Sequence, residues 1–202
     1  MKFKTKEHST TTFLELVHTD LCGPARLKGF QGEQYFMLFI DDYTKITWMC
    51  LLNKKSEAFG HFKRFNEQIE NESDMKIKFL RLYNGGEFTS NEFNNYCHEH
   101  GIRRKFSAAR TPQQNGVAER KNMTVLEMAR TMLNVAGITD RFLTQVVHTT
   151  VHTLNRALLR NNTDKTHYEL WKEDRQTSTS SEYSAVNATN KEMTRLGNLT
   201  QE

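Results

Sequence analysis

Two acids stand where a chain places ligands for a hard cation. Asp20 closes a predicted strand in Leu16-Val17-His18-Thr19-Asp20-Leu21-Cys22-Gly23-Pro24, and Glu119 lies near the start of a predicted helix. Carboxylates at strand ends and helix starts are natural oxygen ligands for Mg²⁺, although either acid alone reads as an ordinary solvated one. His18, two residues before Asp20, shares its strand face and is expected to pack there or support the acid. His148 and His152 have the spacing of a zinc pair but lack the intervening Glu of HExxH, so they read as surface or packing residues. Cys97-His98-Glu99-His100 sits on a helix end where adjacent side chains point apart, and no zinc is expected. Arg103, Arg104 and Lys105 are consecutive, while Arg110, Arg120 and Lys121 flank a polar loop holding Gln113, Gln114 and Asn115. These residues have the chemistry to hold DNA phosphates, which position a duplex without reading its sequence. A plain solvated basic surface, with a turn that caps the helix, is the alternative.

The elements that would position these residues follow from periodicity. Phe13–Asp20 reads as a strand, Tyr35–Ile40 as a strand covered on both faces, and Lys45–Leu52 as an alternating strand with Ile46, Trp48, Cys50 and Leu52 on one side. Short links at Gly23-Pro24 and Asp41–Thr44 suit an antiparallel meander, with Asp41 and Asp42 capping the second turn. Ala58, Phe59, Phe62, Phe65 and Ile69 mark a helix capped by Ser56 or Asn53. A strand follows at Ile77–Leu82, then the break Asn84-Gly85-Gly86, a helix over Asn91–His100 stopped by Gly101, and a strand over Ile102–Phe106. Ser107–Gln114 reads as a loop. A long helix from about Asn115 carries Val125, Met128, Ala129 and Met132 on one face, and another runs from Asp140 to about Leu159. The order βββαβαβαα predicts an α/β domain, a five-stranded mixed sheet with helices on both faces.

Composition sets the outer limits. The chain has 202 residues with a formal charge of +4, which permits a nucleic-acid partner without requiring one. No apolar run reaches the ~20 residues needed to span a bilayer, and MKFKTKEHST has no apolar stretch behind its cations. Three cysteines without a CxxC pair point to a reducing, intracellular setting. Of the 27 residues from Gln176 to Glu202, 12 are Ser, Thr or Asn and seven are apolar without a period, so this segment reads as a disordered tail. The expected division is an N-terminal remnant over 1–11, one domain over 12–175, and a tail over 176–202.

Several blocks in order carry a resemblance: HTDLCGP (18–24), YFMLFIDDYTK (35–45), NGGEF (84–88), HGI (100–102), TPQQNGVAERKN (111–122), LNR (154–156) and YELW (168–171). From about Thr12 to Trp171 the chain resembles the integrase core domain of Copia-type long-terminal-repeat retrotransposons, within the retroviral-like integrases of RNase H-like fold. The resemblance implies an Asp, Asp, Glu set holding two divalent metals, Mg²⁺ or Mn²⁺. These activate water or a DNA 3′-hydroxyl for in-line attack on phosphate, with the ions about 4 Å apart. Asp20 matches the family's first acid and Glu119 its third. At the second position the family block Asp-Asn-Gly-Gly-Glu-Phe meets Tyr83-Asn84-Gly85-Gly86-Glu87-Phe88, and the 35 residues between 83 and 119 keep the family's spacing. Tyr83 therefore replaces a metal-binding Asp with a larger group that is neutral at pH 7.

The implied activity is processing of DNA 3′ ends and their joining to target DNA, impaired by Tyr83. Asp41, Asp42 and Glu87 are the nearest acids by sequence and the candidates to stand in for it. The expected partners are retrotransposon ends, target DNA and a second copy of the chain, and the implied location of a working enzyme is the nucleus. Dimer faces are expected on the Phe62/Phe65 helix or near Met132. The family's zinc-binding His-His-Cys-Cys domain is not expected before Thr12. A non-catalytic nucleic-acid-binding or self-associating module, or the product of a decayed element, stand as rival readings.

Overall fold

The computed structural model describes residues 10–82, 86–106 and 116–173. Strands β1 (Leu16–Cys22), β2 (Tyr35–Asp41) and β3 (Thr47–Leu52) form an antiparallel meander. Helix α1 (Ala58–Ser73) leads to β4 (Phe79–Leu82), and α2 (Asn91–Glu99) leads to β5 (Arg103–Phe106). Helices α3 (Gly116–Ala136) and α4 (Leu143–Ala157) follow. The five strands lie in the order β3-β2-β1-β4-β5, with β4 parallel to both β1 and β5, so the sheet is mixed as the element order predicts.

Strand alternation divides the core between two layers. Val17, Met37, Phe39, Leu80 and Leu82 face α1 and α2, where they meet Phe62, Ile69, Phe93, Tyr96 and Cys97. Phe36, Leu38 and Ile40 face α3 and α4, against Ala118, Val125, Ala129, Val147, Val151 and Leu154. Because β2 contributes to both layers, it needs an unbroken apolar run. Asp20 pairs with Leu38 and His18 with Ile40, which puts both polar side chains on the α3/α4 side.

Several boundaries depart from periodicity because side chains far apart in sequence claim the backbone. β1 starts at Leu16 instead of Phe13: Leu14 has φ 58° and donates its N–H to buried Asp41 Oδ1 at 3.0 Å, holding Phe13 and Leu14 in a turn. β3 starts at Thr47 instead of Lys45, which is left-handed at φ 63°. Neither Ser56 nor Asn53 caps α1. A 3₁₀ turn over Lys55–Glu57 intervenes, and the Glu57 carboxylate accepts the Asn53 N–H at 2.9 Å. The predicted final helix divides into a 3₁₀ turn, Asp140–Phe142, and α4. The predicted loop Ser107–Gln114, the break at Asn84-Gly85 and the tail 176–202 lie outside the described residues.

The later sequence blocks act as fasteners. Asn155 of the LNR block accepts the Thr47 N–H at 3.0 Å and donates to the Thr47 carbonyl at 2.7 Å, so α4 is tied to the start of β3. Arg156 lies 4.0 Å over the Tyr168 ring, and Tyr168 and Trp171 pack against the α1/α2 layer. Phe62 is 1% exposed, and Phe65 stacks on Phe39 at 4.0 Å. The aromatic face of α1 expected to serve a dimer is therefore spent inside the chain. Among the described residues no helix is long and apolar enough to cross a membrane.

Candidate active site

α3 lies across the sheet so that its first turns meet the middle of β1. Glu119 and Asn122 are three residues apart and share a face of α3. Asn122 Nδ2 donates to Asp20 Oδ2 at 2.9 Å, and the Leu21 N–H donates to Asp20 Oδ1 at 3.0 Å. Burial raises the Asp20 pKa from 3.8 to about 6. These two hydrogen bonds oppose the rise, while the charges of Glu119 and Glu87 add to it. The fold thus joins the two acids that the sequence singles out, 99 positions apart, and brings Glu87 of the short Gly86–Phe88 turn within electrostatic reach of Asp20.

The donor chemistry suits a hard cation. Besides the carboxylates, Asn122 Oδ1 is buried and without a hydrogen-bond partner, an oxygen that lacks compensation. Among the described residues, however, no three His, Cys, Asp or Glu side chains converge to hold a metal. Position 83, where Tyr83 replaces the family's second acid, lies outside the described residues, as do Arg110, Gln113, Gln114 and Asn115. Arg120 is exposed and Lys121 half-buried on the first turns of α3. Burial and the neighbouring Lys45 charge bring the Lys121 pKa down to about 8.

The other sequence candidates divert from the pair. His18 does not bind Asp20; its Nε2 lies 3.0 Å from Asp42 Oδ1, which also takes Lys45 Nζ at 2.6 Å, while Asp42 Oδ2 accepts from Thr10 Oγ1 at 2.9 Å. Burial works against the Asp42 anion, but the hydrogen bonds from His18 and Lys45 hold its carboxyl well below the usual range. Burial also lowers the His18 pKa against the pull of Asp42. Asp41 is fully buried and caps its turn as expected, Oδ2 accepting from the Thr44 N–H and Oγ1, both at 2.7 Å. Both acids of this turn are thus committed elsewhere and do not replace a ligand at position 83.

His148 and His152 are exposed on α4. His100 Nδ1 lies 2.9 Å from the Tyr96 carbonyl, and its ring stacks on Tyr96. On β5, Arg104 donates to the Phe88 carbonyl, and Lys105 sits 3.9 Å over Phe79. Sequence reasoning gave no role to Asn122, although its i+3 spacing from Glu119 was a sufficient signal. Nor did it find a cavity of about 530 Å³ beyond Cys22, lined by Tyr35, Phe36, Leu126, Leu143 and Val147, which contains neither acid.

A mixed sheet in this order, with Asp20 on its central strand within electrostatic reach of Glu119 on the helix that crosses it, is the fold of solved integrase catalytic cores. The fold matches the HTLV-2 integrase catalytic core domain solved in complex with magnesium, with a TM-score of 0.57 and 17% identity over 78% of this chain and 96% of that one. It also matches a chain of the simian T-cell lymphotropic virus intasome in complex with a PP2A regulatory subunit, with a TM-score of 0.64 and 15% identity over 79% and 54%. The chain is a homologue of the Copia-type retrotransposon Pol polyproteins. It is 40% identical over 157 residues to the Pol polyprotein of transposon TNT 1-94 from Nicotiana tabacum, covering 78% of this chain and 12% of that protein. It is 31% identical to that of transposon RE2 from Arabidopsis thaliana, covering 71% and 10%. The chain thus spans about a tenth of the length of these relatives. No family model matches it.

Proposed function

We propose that this chain is the core of a DNA-joining enzyme that processes DNA 3′ ends and transfers them to target DNA, and that Tyr83 impairs it. The observation that carries the reading is the meeting of Asp20 with the Glu119/Asn122 face of α3. Asp20 and Glu119 would hold Mg²⁺ or Mn²⁺, with Asn122 orienting Asp20. The bound ions would activate the attacking oxygen and stabilise the leaving one. The chain's own residues aim the Asp20 carboxylate by two hydrogen bonds and keep it partly desolvated, which strengthens its attraction for a cation.

Tyr83 offers one neutral oxygen where the family has an anion, so the ligand charge at the site falls by one. The partners are DNA ends and target DNA. Self-association is supported by the dimeric and trimeric forms of the HTLV-2 core, and a working complex would act in the nucleus. The proposed core is 12–175, with residues 1–11 and the polar segment 176–202 outside it.

The experiment compares Mg²⁺- and Mn²⁺-dependent 3′ processing and strand transfer on short duplexes between the natural chain and Tyr83→Asp. The natural chain should be more than tenfold slower than Tyr83→Asp. Activity within tenfold would refute the impairment, and inactivity of both proteins would refute the enzyme reading.

A further inference from the structure

Beside the carboxylate pair the molecule gathers positive charge that metal chemistry does not use. Lys45 ends the β2–β3 turn. Arg160, beyond α4, reaches that turn and donates from Nε to the Tyr43 carbonyl at 2.8 Å. Lys121, half-buried on the first turns of α3, lies within electrostatic reach of Lys45. Behind them His167 is 6% exposed, has a buried Nδ1 without a partner, and feels Lys121, Arg160 and Lys45 as like charges.

Asp42 is the acid of this cluster, and its oxygens are engaged by His18, Lys45 and Thr10. Among the described residues neither Lys121 nor Arg160 is paired with a carboxylate. Lys45 is matched by Asp42, which leaves the charges of Lys121 and Arg160, from two separate parts of the chain, without an anion beside them. The cluster is also well placed. His18, which binds Asp42, precedes Asp20 by two residues, about 7 Å along β1 on the same face. That distance is about two axial steps of a DNA strand at 3.4 Å each.

We propose that Lys45, Lys121 and Arg160 form a docking site for one backbone phosphate of the DNA strand whose phosphodiester about two nucleotides further on reaches Asp20 and Glu119. The site rests on the DNA-joining reading and supplies its positioning contact. Lys121 and Arg160 bind the phosphate, Asp42 holds Lys45 in place, and His167 forms the floor. The contact carries no sequence preference, since it touches backbone only.

The test needs no catalysis. Binding of a fluorescein-labelled duplex is followed by anisotropy in EDTA across a salt series, using the full chain, the double variant Lys121→Gln/Arg160→Gln, and Lys63→Gln as a control on α1, across the sheet. The double variant should flatten the slope of log Kd against log salt by about 1 and weaken binding about threefold or more, equally on unrelated sequences. Lys63→Gln should leave both unchanged. If the full chain binds and the double variant keeps its slope and affinity, the site is refuted while the DNA reading stands. If the full chain does not bind at low salt, the DNA reading fails and the site with it. A readout independent of variant folding is the NMR signal of the His167 ring, which should shift when the duplex binds. Binding without that shift overturns the proposal.

Discussion

Replacing Asp20 by Asn should make the protein more stable at neutral pH, and the size of the gain follows from the environment of that carboxyl. Its pKa rises from 3.8 to about 6 on folding, because burial and the charges of Glu119 and Glu87 outweigh the hydrogen bonds from Leu21 and Asn122. A carboxyl whose pKa is raised in the folded state binds its proton more tightly there than in the unfolded chain. Its ionisation therefore costs stability, fully above about pH 6 and not at all below about pH 4. At about 1.36 kcal/mol per pH decade, the rise has a ceiling of about 3 kcal/mol. Discounting for the water that half-buried Asp20 still meets leaves about 1–2 kcal/mol. Asn keeps the shape: its Oδ1 can accept from the Leu21 N–H, and its Nδ2 can donate to Asn122 Oδ1 once the Asn122 amide turns over. Thermal melts at pH 7.5 should show Tm raised by roughly 3–6 °C, and the gain should shrink towards zero at pH 4.5. Adding Mg²⁺ should raise the Tm of the natural chain and leave Asp20→Asn unmoved, since a ligand stabilises only the state that binds it. An Asp20→Asn protein with unchanged or lower Tm at pH 7.5, or with the same gain at both pH values, would refute the reasoning.

Asp41→Ala strands the buried N–H groups of Leu14 and Thr44 and should cost about 3 kcal/mol or more, measured by urea unfolding. Asn155→Ala breaks both bonds between α4 and Thr47 and should cost about 2–3 kcal/mol, with faster amide exchange at Thr47. Asn122→Ala removes a donor that favours the Asp20 anion, so the Asp20 pKa should rise above about 6, followed by carboxyl carbon shifts in an NMR titration. Phe62→Ala should lower stability by about 3–5 kcal/mol in unfolding melts without changing mass by light scattering, because that ring packs within the chain.

Much of the fold was legible in the sequence because it is written in local periodicity. The apolar run Tyr35–Ile40 could be served only by a strand with two covered faces, and the switch from alternation to a helical period after Asn53 located α1. What escaped was long-range. Nothing near Phe13 announces that Leu14 will be claimed by Asp41, 27 positions on, so β1 appeared to start early. The Phe62/Phe65 stripe signals burial but not against what, and β2 and α2 supply the cover within the same chain. His18 shares a face with Asp20, yet the turn beyond β2 bends Asp42 and Lys45 over it. Asp20 and Glu119 were legible through the blocks around them, Glu87 and Lys121 were named without a place, and the fold adds Asn122, Lys45 and Arg160.

The amide of Asn155 also has a bearing on solubility. β3 borders the sheet, and a free border invites a foreign strand to zip on. By occupying both backbone groups of Thr47, Asn155 plays the part of one residue of an absent neighbour and shuts that entry point at its first rung. The opposite margin is guarded differently, by four residues of which three are cationic. A chain with Asn155 removed should therefore be more prone to fibrillar stacking than its modest loss of stability alone would bring about.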